Sequence, residues 1–302
     1  MLTCGLATTM VRGAVLRFSA YTALRPHTSR IEAQPVKSKL ERLVAYLIDE
    51  RNAHRNGPRF EEPSQHASQD ELWQLFRALV NTREPVHASR EFYELQDEVL
   101  RELIAADGIA TRADATPSPL GPHMLLWRGD ITRLRVDAIV NAANSQMLGC
   151  WVPGHYCIDN AIHTFAGVEL REQCAELMAA QGHEEPTGTA KVTDAFNLPA
   201  RYIVHTVGPI VQGAPSELQH AQLASCYTSC LEAAQAHACR SIAFCCISTG
   251  VFGYPQREAA KLAIDTVAGW IAAHAEAGID VVFDVFGADD EALYRELLGI
   301  QQ

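Results

Sequence analysis

Val136-Asp137-Ala138-Ile139-Val140-Asn141-Ala142-Ala143-Asn144 decides how this chain folds. Ala138, Ile139 and Val140 form a short apolar run that reads as a buried strand. The run stops at Asn141, and Asn141-Ala142-Ala143-Asn144-Ser145 reads as the loop that follows. Similar runs recur at 124–127, 190–192, 203–206, 242–247 and 281–286. Between them lie helical patterns, notably 168–181, 218–236 and 256–273. Strands alternating with helices make an α/β fold, a mixed or parallel sheet covered on both faces. In such sheets ligands sit at the carboxyl ends of the strands, so the chemistry should lie in the loops that follow them.

Upstream the rhythm is purely helical. Leu40, Leu43, Val44, Leu47 and Ile48 recur at helical spacing, and residues 56–63 break that helix with Gly57, Pro58 and Pro63. Leu72, Leu75, Phe76 and Leu79 mark a second helix, which Ser68 and Glu71 can open as a capping box. Phe92, Leu95, Val99, Leu100 and Ile104 mark a third. Residues 111–122, with Pro117, Pro119 and Pro122, read as a linker. The expected organisation is an extension over 1–35, a helical subdomain over 36–115 for packing or partner docking, and an α/β domain over 116–302.

The extension carries Arg12, Arg17, Arg25 and Arg30 with no acidic residue before Glu32. That is the composition of an organellar transit segment, and equally of a disordered extension or a misplaced start, so the expected location is cytoplasmic or mitochondrial. The full chain of 302 residues is 48% hydrophobic, enough for one large core or two modest ones. Its formal net charge of -11 disfavours nucleic-acid partners, which need clustered Lys and Arg. A single nucleotide in a polar cleft remains compatible with that charge. No apolar run reaches membrane-spanning length. The 9 cysteines are odd in number and irregular in spacing, which argues against a disulfide framework and for a reducing compartment.

Three loops, each following an expected strand, carry ligand chemistry. Arg128-Gly129-Asp130-Ile131-Thr132 places an Asp at a strand end, as an ordinary turn residue or as an acceptor for an exocyclic amine. Asn141 through Ser145 offers two carboxamides suited to ribose hydroxyls, although Asn141 alone fits a turn as well. In Ser248-Thr249-Gly250-Val251-Phe252-Gly253-Tyr254-Pro255 the glycines permit close backbone approach, and Pro255 suits the first turn of the next helix. The amides there make an anion site. Together the three loops suggest a nucleotide diphosphate.

The sharpest pattern is Gly149-Cys150-Trp151-Val152-Pro153-Gly154-His155-Tyr156-Cys157. Cys150, His155 and Cys157 form a C-x4-H-x-C set of two thiols and an imidazole, which suits Zn2+. Three protein ligands with an open fourth position mark a catalytic zinc site; a fourth ligand such as His163 would close it into a structural one. The other reading is two core cysteines and an incidental His. Asp159-Asn160 follows directly. Asn160 is expected to cap the next helix, whereas Asp159 suits capping, support of a ligand imidazole, or a base for water. His163 reads as a packed polar residue.

With these motifs in order, the chain resembles the macrodomain family, and more narrowly its zinc-containing ADP-ribosyl hydrolases. The matching segments include Trp127-Arg128-Gly129-Asp130-Ile131-Thr132, Val136 through Asn144, Leu148-Gly149-Cys150, Cys157-Ile158-Asp159-Asn160-Ala161-Ile162-His163, His205-Thr206-Val207-Gly208-Pro209 and Ala243-Phe244-Cys245-Cys246-Ile247-Ser248-Thr249-Gly250. The similarity runs from about Val36 to the C-terminus. It implies a three-layer α/β/α macrodomain with a mixed central sheet and ADP-ribose across its crest. Asp130 would take the adenine amine with help from the Ile131 amide. Ser248, Thr249, Gly250, Val251 and Phe252 would wrap the diphosphate, and Asn144 would face the distal ribose beside the metal. Many macrodomains carry a glycine-rich stretch in place of the Cys150–Cys157 segment. Gly154 falls where a bulkier residue is expected, which would loosen that loop.

The activity implied is zinc-dependent removal of mono-ADP-ribose from protein side chains, acidic-residue esters above all, with Asn144 and Asp159 as catalytic residues. The alternatives are a non-catalytic ADP-ribose reader and an O-acetyl-ADP-ribose deacetylase. In similar bacterial systems the substrate is a lipoyl carrier protein modified by a sirtuin-type transferase, and that partner is implied by resemblance alone.

Overall fold

Apolar strands separated by amphipathic helices fold as α/β layers, and the computed structural model, which describes residues 33–53 and 60–301, shows how. Three helices lead: α1 (Ala33–Ala53), α2 (Gln69–Asn81) and α3 (Arg90–Ala106). They are followed by β1 (Ala110–Thr111), β2 (Thr116–Ser118), β3 (Gly121–Arg128), β4 (Leu134–Arg135) and β5 (Ala138–Ala143). Then come α4 (Ile158–Ala166), α5 (Val168–Gln181), β6 (Ala190–Asp194), β7 (Tyr202–Val207) and α6 (Glu217–Ala236). The chain ends with β8 (Ser241–Phe244), α7 (Gln256–Ala273), β9 (Asp280–Val285) and α8 (Ala288–Leu298).

The main sheet has the order β2-β3-β9-β8-β5-β7-β6. Its five inner strands run parallel, and β2 and β6 pair antiparallel at the two edges. Ala138, Ile139 and Val140 are fully buried at its centre, as a strand covered on both faces requires. The connections from β7 to β8 and from β8 to β9 step the same way across the sheet, while β5 to β7 steps the other way. Parallel crossovers are right-handed, so α6 and α7 cover one face and α4 and α5 the opposite one. Helix α8 packs on α7 and completes the first row. Every parallel strand then ends at the same rim of the sheet.

The helical part has its own core, built on Leu40, Leu43, Leu72, Phe76 and Leu100. Val168 belongs to that same core, and Trp73 meets the Phe165 ring at 5.4 Å, so α2 seats directly on the α4–α5 hairpin. The expected capping box is present: Ser68 Oγ accepts from the Glu71 amide at 3.2 Å, and the Glu71 carboxylate accepts from the Ser68 amide at 2.8 Å. Residues 1–32 and 54–59, which include the Arg-rich start and the Gly57-Pro58 break, lie outside the described residues.

Three expectations change. The 111–122 segment is not a bare linker: β2 forms an edge strand on β3, and Pro117 is tolerated there because an edge position needs fewer ladder donors. Strand β5 continues through Asn141 to Ala143, because Asn141 is completely buried and pairs in register with His205 of β7. Strand β8 ends at Phe244, three residues early, where the chain turns into the Ser248 loop. No described helix is long and apolar enough to cross a membrane, and the eight described cysteines are all free.

Candidate functional site

The rim of the sheet gathers the loops after β3, β5 and β8. After β3, Asp130 caps a single 3-10 turn, accepting from the Thr132 amide at 3.1 Å and the Thr132 hydroxyl at 2.6 Å. Those two bonds orient its carboxylate, and Ile131 anchors the turn in the core.

After β8, the chain from Ser248 to Gly253 closes on itself. Tyr254 donates its amide to the Ser248 carbonyl at 3.0 Å, and Gly253 to the Gly250 carbonyl at 3.0 Å. Gly253 has φ +71°, and a Cβ there would lie 2.7 Å from the Val211 carbonyl oxygen. Nothing lies within 4 Å of a Cβ placed on Gly250, so that face of the loop is open. Among the described residues none accepts from the amides of Gly250, Val251 or Phe252. Three successive amides without protein acceptors at the entrance to α7 are of the kind that can receive an anion.

After β5 lies a polar cluster in which Asn141, Asp159 and His205 are buried and Asn144 is half-buried. Asn141 Nδ2 donates to Asp159 Oδ1 at 2.8 Å and to His205 Nδ1 at 3.1 Å. His205 Nδ1 is thus an acceptor, so its proton sits on Nε2 and is donated to Thr193 Oγ1 at 2.9 Å. Burial holds His205 neutral and pushes it down to about 3. Asn144 Nδ2 donates to the Gly149 carbonyl at 3.0 Å and approaches Asp159 Oδ2 at 3.3 Å. Burial pushes the Asp159 carboxyl up to about 6, against the two amides that favour its charge. A carboxylate with that value is mostly ionised at neutrality and basic enough to take up a proton.

The loop from 150 to 157 lies across this cluster. Cys150 Sγ is 3.5 Å from His155 Nδ1, and the donor atoms of Cys150, His155 and Cys157 all fall within 4.8 Å of one another. Cys157 is the N-cap of α4, its sulfur accepting from the Asn160 amide at 3.4 Å. The expected cap, Asn160, is instead inside the helix with Asp159; a thiol takes the place usually held by Ser, Thr, Asp or Asn. The Cys157 thiol bonded to Cys150 holds Cys150 down to about 5, while the remaining proton of the pair is held on Cys157.

These atoms fit zinc. Ligands at about 2.3 Å (S) and 2.1 Å (N) in a tetrahedron stand about 3.6 Å apart, close to the Cys150–His155 separation. His163 is not part of the set. It is buried beneath Gly149, where a Cβ would meet its ring at 2.9 Å, and it groups with Cys174 and His205. That second group is a poor ligand set, because both His205 nitrogens are already engaged. Gly154 takes φ +66°, a left-handed turn that favours glycine, and its amide is bonded at 3.0 Å to Asn81 Oδ1.

The geometry has the mixed sheet flanked by helices that the sequence resemblance implied, and comparison with known proteins decides the family. A protein-ADP-ribose hydrolase of Treponema medium is 50% identical over 258 residues, spanning 85% of this chain and 96% of its own. The chain belongs to the macrodomain family. The Macro domain profile itself matches residues 140–263 of this macrodomain. Among solved structures, the Oceanobacillus iheyensis macrodomain with ADP is 40% identical, covering 58% of this chain and 90% of its own at a TM-score of 0.53. The Trypanosoma brucei macrodomain in complex with ADP-ribose is 30% identical, covering 74% and 95% at a TM-score of 0.56.

Sequence reasoning missed three residues of this macrodomain's site. Arg77 and Asn81 of α2 contact the 150–157 loop, and the Arg171 guanidinium stacks at 4.4 Å over Trp151 of that loop. The available signal was weak: Arg77 and Asn81 stand four apart beside the apolar stripe of α2, where buried polar residues need partners.

Proposed function

We propose that this macrodomain is a zinc-dependent hydrolase that removes mono-ADP-ribose from modified protein side chains. The observation that carries it is the set of two thiols and an imidazole beside the buried Asp159 carboxylate, which Asn141 holds at 2.8 Å. A module that only held ADP-ribose would use Asp130 and the amides after Ser248, and would need neither.

The roles follow from position. Asp130 accepts from the adenine amine, with the Ile131 amide beside it. The loop of Ser248, Thr249, Gly250, Val251 and Phe252 receives the diphosphate on its unpartnered amides. Asn144 fixes the distal ribose, itself held by the Gly149 carbonyl. Cys150, His155 and Cys157 would hold Zn2+, which supplies Lewis-acid polarisation to a ribose or water oxygen when bound. Asp159 takes the proton of the attacking water. Its carboxylate is held in place by Asn141, which is in turn oriented by His205. Water's hydroxyl goes to the sugar, the bond at the distal ribose breaks with its electron pair going to the side-chain oxygen, the acidic side chain leaves as its carboxylate, and Asp159 then releases the water's proton to solvent.

The similarity of this chain to a protein-ADP-ribose hydrolase over nearly its full length supports the protein-linked substrate. A lipoyl carrier modified by a sirtuin-type transferase is the carrier we test first. Full-length protein is incubated with that carrier bearing ADP-ribose on an acidic residue, and with O-acetyl-ADP-ribose. Release of free ADP-ribose from the carrier at a higher kcat/KM than from the small ester supports the proposal. Binding without release leaves a reader, and preference for the small ester makes the protein a deacetylase.

A further inference from the structure

The 150–157 loop is an excursion between β5 and α4 with few apolar contacts of its own, and Val152 and Tyr156 are exposed. Backbone in such a loop takes one shape only if its polar groups are bonded. Beside the His155 amide bond to Val152 inside the loop and the Asn160 bond to Val152, two backbone bonds come from α2, more than 70 residues away in sequence.

Asn81, at 1% exposure, uses both ends of its side chain. Its Oδ1 accepts from the Gly154 amide at 3.0 Å, and its Nδ2 donates to Thr164 Oγ1 of α4 at 3.2 Å. One turn earlier on α2, buried Arg77 donates through Nη2 to the His155 carbonyl at 3.3 Å and to Asn160 Oδ1 at 3.4 Å. The Arg77 guanidinium also lies 4.4 Å from the Tyr156 ring centroid. The Tyr156 hydroxyl in turn donates to Gln74 Oε1 at 3.3 Å. Gly154, His155 and Tyr156 are thus tied one after another to a single helix face. The same two residues grip α4, at Thr164 and Asn160, next to the Cys157 cap. Arg77 thus bonds both His155 and Asn160 of the helix that Cys157 caps, so the grip bears on the distance between two of the three donor groups.

We infer that Asn81 and Arg77 are positioning residues that hold the 150–157 loop in its metal-accepting shape, making the helical segment a working part of the site. This rests on the zinc reading above only for its consequence, metal affinity; the loop shape is a separate observable. Groups that orient metal ligands from behind typically change affinity 10–100-fold when lost.

The test uses the full chain and two variants, Asn81→Leu and Arg77→Met, which keep most of the side-chain volume and remove the polar contacts. Amide hydrogen exchange of residues 150–157 is followed by mass spectrometry, with β9 as internal reference. Zinc affinity is measured by competition with a chelator, and adenosine-side binding with ADP. The expected result is faster exchange in 150–157 with β9 unchanged, zinc affinity lower by about 10–100-fold, and ADP affinity within about twofold. Wild-type exchange rates and zinc affinity in a variant of lowered Tm would overturn the inference, since the residues would then serve only general stability. If Asn81→Leu does not fold, Arg77→Met carries the same readings. Should the wild-type chain take up no zinc, the metal-dependent function falls, while the exchange comparison still decides whether α2 shapes the loop.

Discussion

The Asn141 side-chain amide sits between two titratable groups, giving one hydrogen to Asp159 Oδ1 at 2.8 Å and approaching His205 Nδ1 at 3.1 Å. Asn141 and His205 are register partners on neighbouring parallel strands, so the sheet itself sets this spacing. The amide that meets the candidate base is therefore placed by strand register, which is more rigid than a loop.

Replacing that base tests its role. Asp159→Asn keeps the shape and removes the proton acceptor. Single-turnover release of ADP-ribose should fall by about 10²–10⁴, the usual contribution of a positioned base. ADP-ribose binding, measured by calorimetry, should stay within about threefold, because binding rests mainly on other loops. A rate within a factor of about three of wild type would remove Asp159 from the chemistry.

In the proposed reading Asp130 serves binding alone. Asp130→Ala removes a charged acceptor, a loss of about 1.5–3 kcal/mol, or roughly 10-fold or more in ADP-ribose affinity. Titration with ADP should show the same loss, since the adenine end is common to both. An ADP affinity equal to wild type would show that the adenine amine is held elsewhere.

Gly253 tests the anion loop. Its φ of +71° and the Val211 carbonyl 2.7 Å from a would-be Cβ leave no room for a side chain. Gly253→Ala should cost about 1–3 kcal/mol in urea unfolding and weaken ADP-ribose binding as well. Stability and binding both unchanged would mean that the turn relaxes freely.

His205 makes an acid-sensitive contribution to stability. Its folded-state value is depressed to about 3 by burial, below the ordinary 6.5. The unfolded chain then binds the extra proton between those values, so this stability is complete above about 6.5 and is lost progressively down to about 3. Across that window the wild-type unfolding free energy should fall with decreasing pH by up to about 1.4 kcal/mol per unit more steeply than in His205→Gln. Equal slopes for the two proteins would contradict the neutral, buried assignment.

The fold was legible because its signals are local. Helix α5 runs from Val168 to Gln181 and α7 from Gln256 to Ala273, as periodicity suggests, since glycine follows α5 and proline precedes α7. The Cys150, His155 and Cys157 set was legible because its members share one loop. What periodicity could not carry was buried polarity. Asn141 looked like the end of a strand because it is polar, yet its partners, Asp159 and His205, come from α4 and β7. Asp159-Asn160 looked like a cap, and nothing in residue type marks Cys157 as the group that takes that place. The roles of Arg77 and Asn81 depend on contacts more than 70 residues away, which no local window contains.

The most direct measurement is the single-turnover rate of ADP-ribose release from a mono-ADP-ribosylated carrier by Cys157→Ala at saturating enzyme, beside wild type. The rate should drop by about 10² or more while the variant still binds ADP-ribose with near wild-type affinity. A correctly folded variant that releases ADP-ribose at the wild-type rate would show that the thiol–imidazole set takes no part in cleavage.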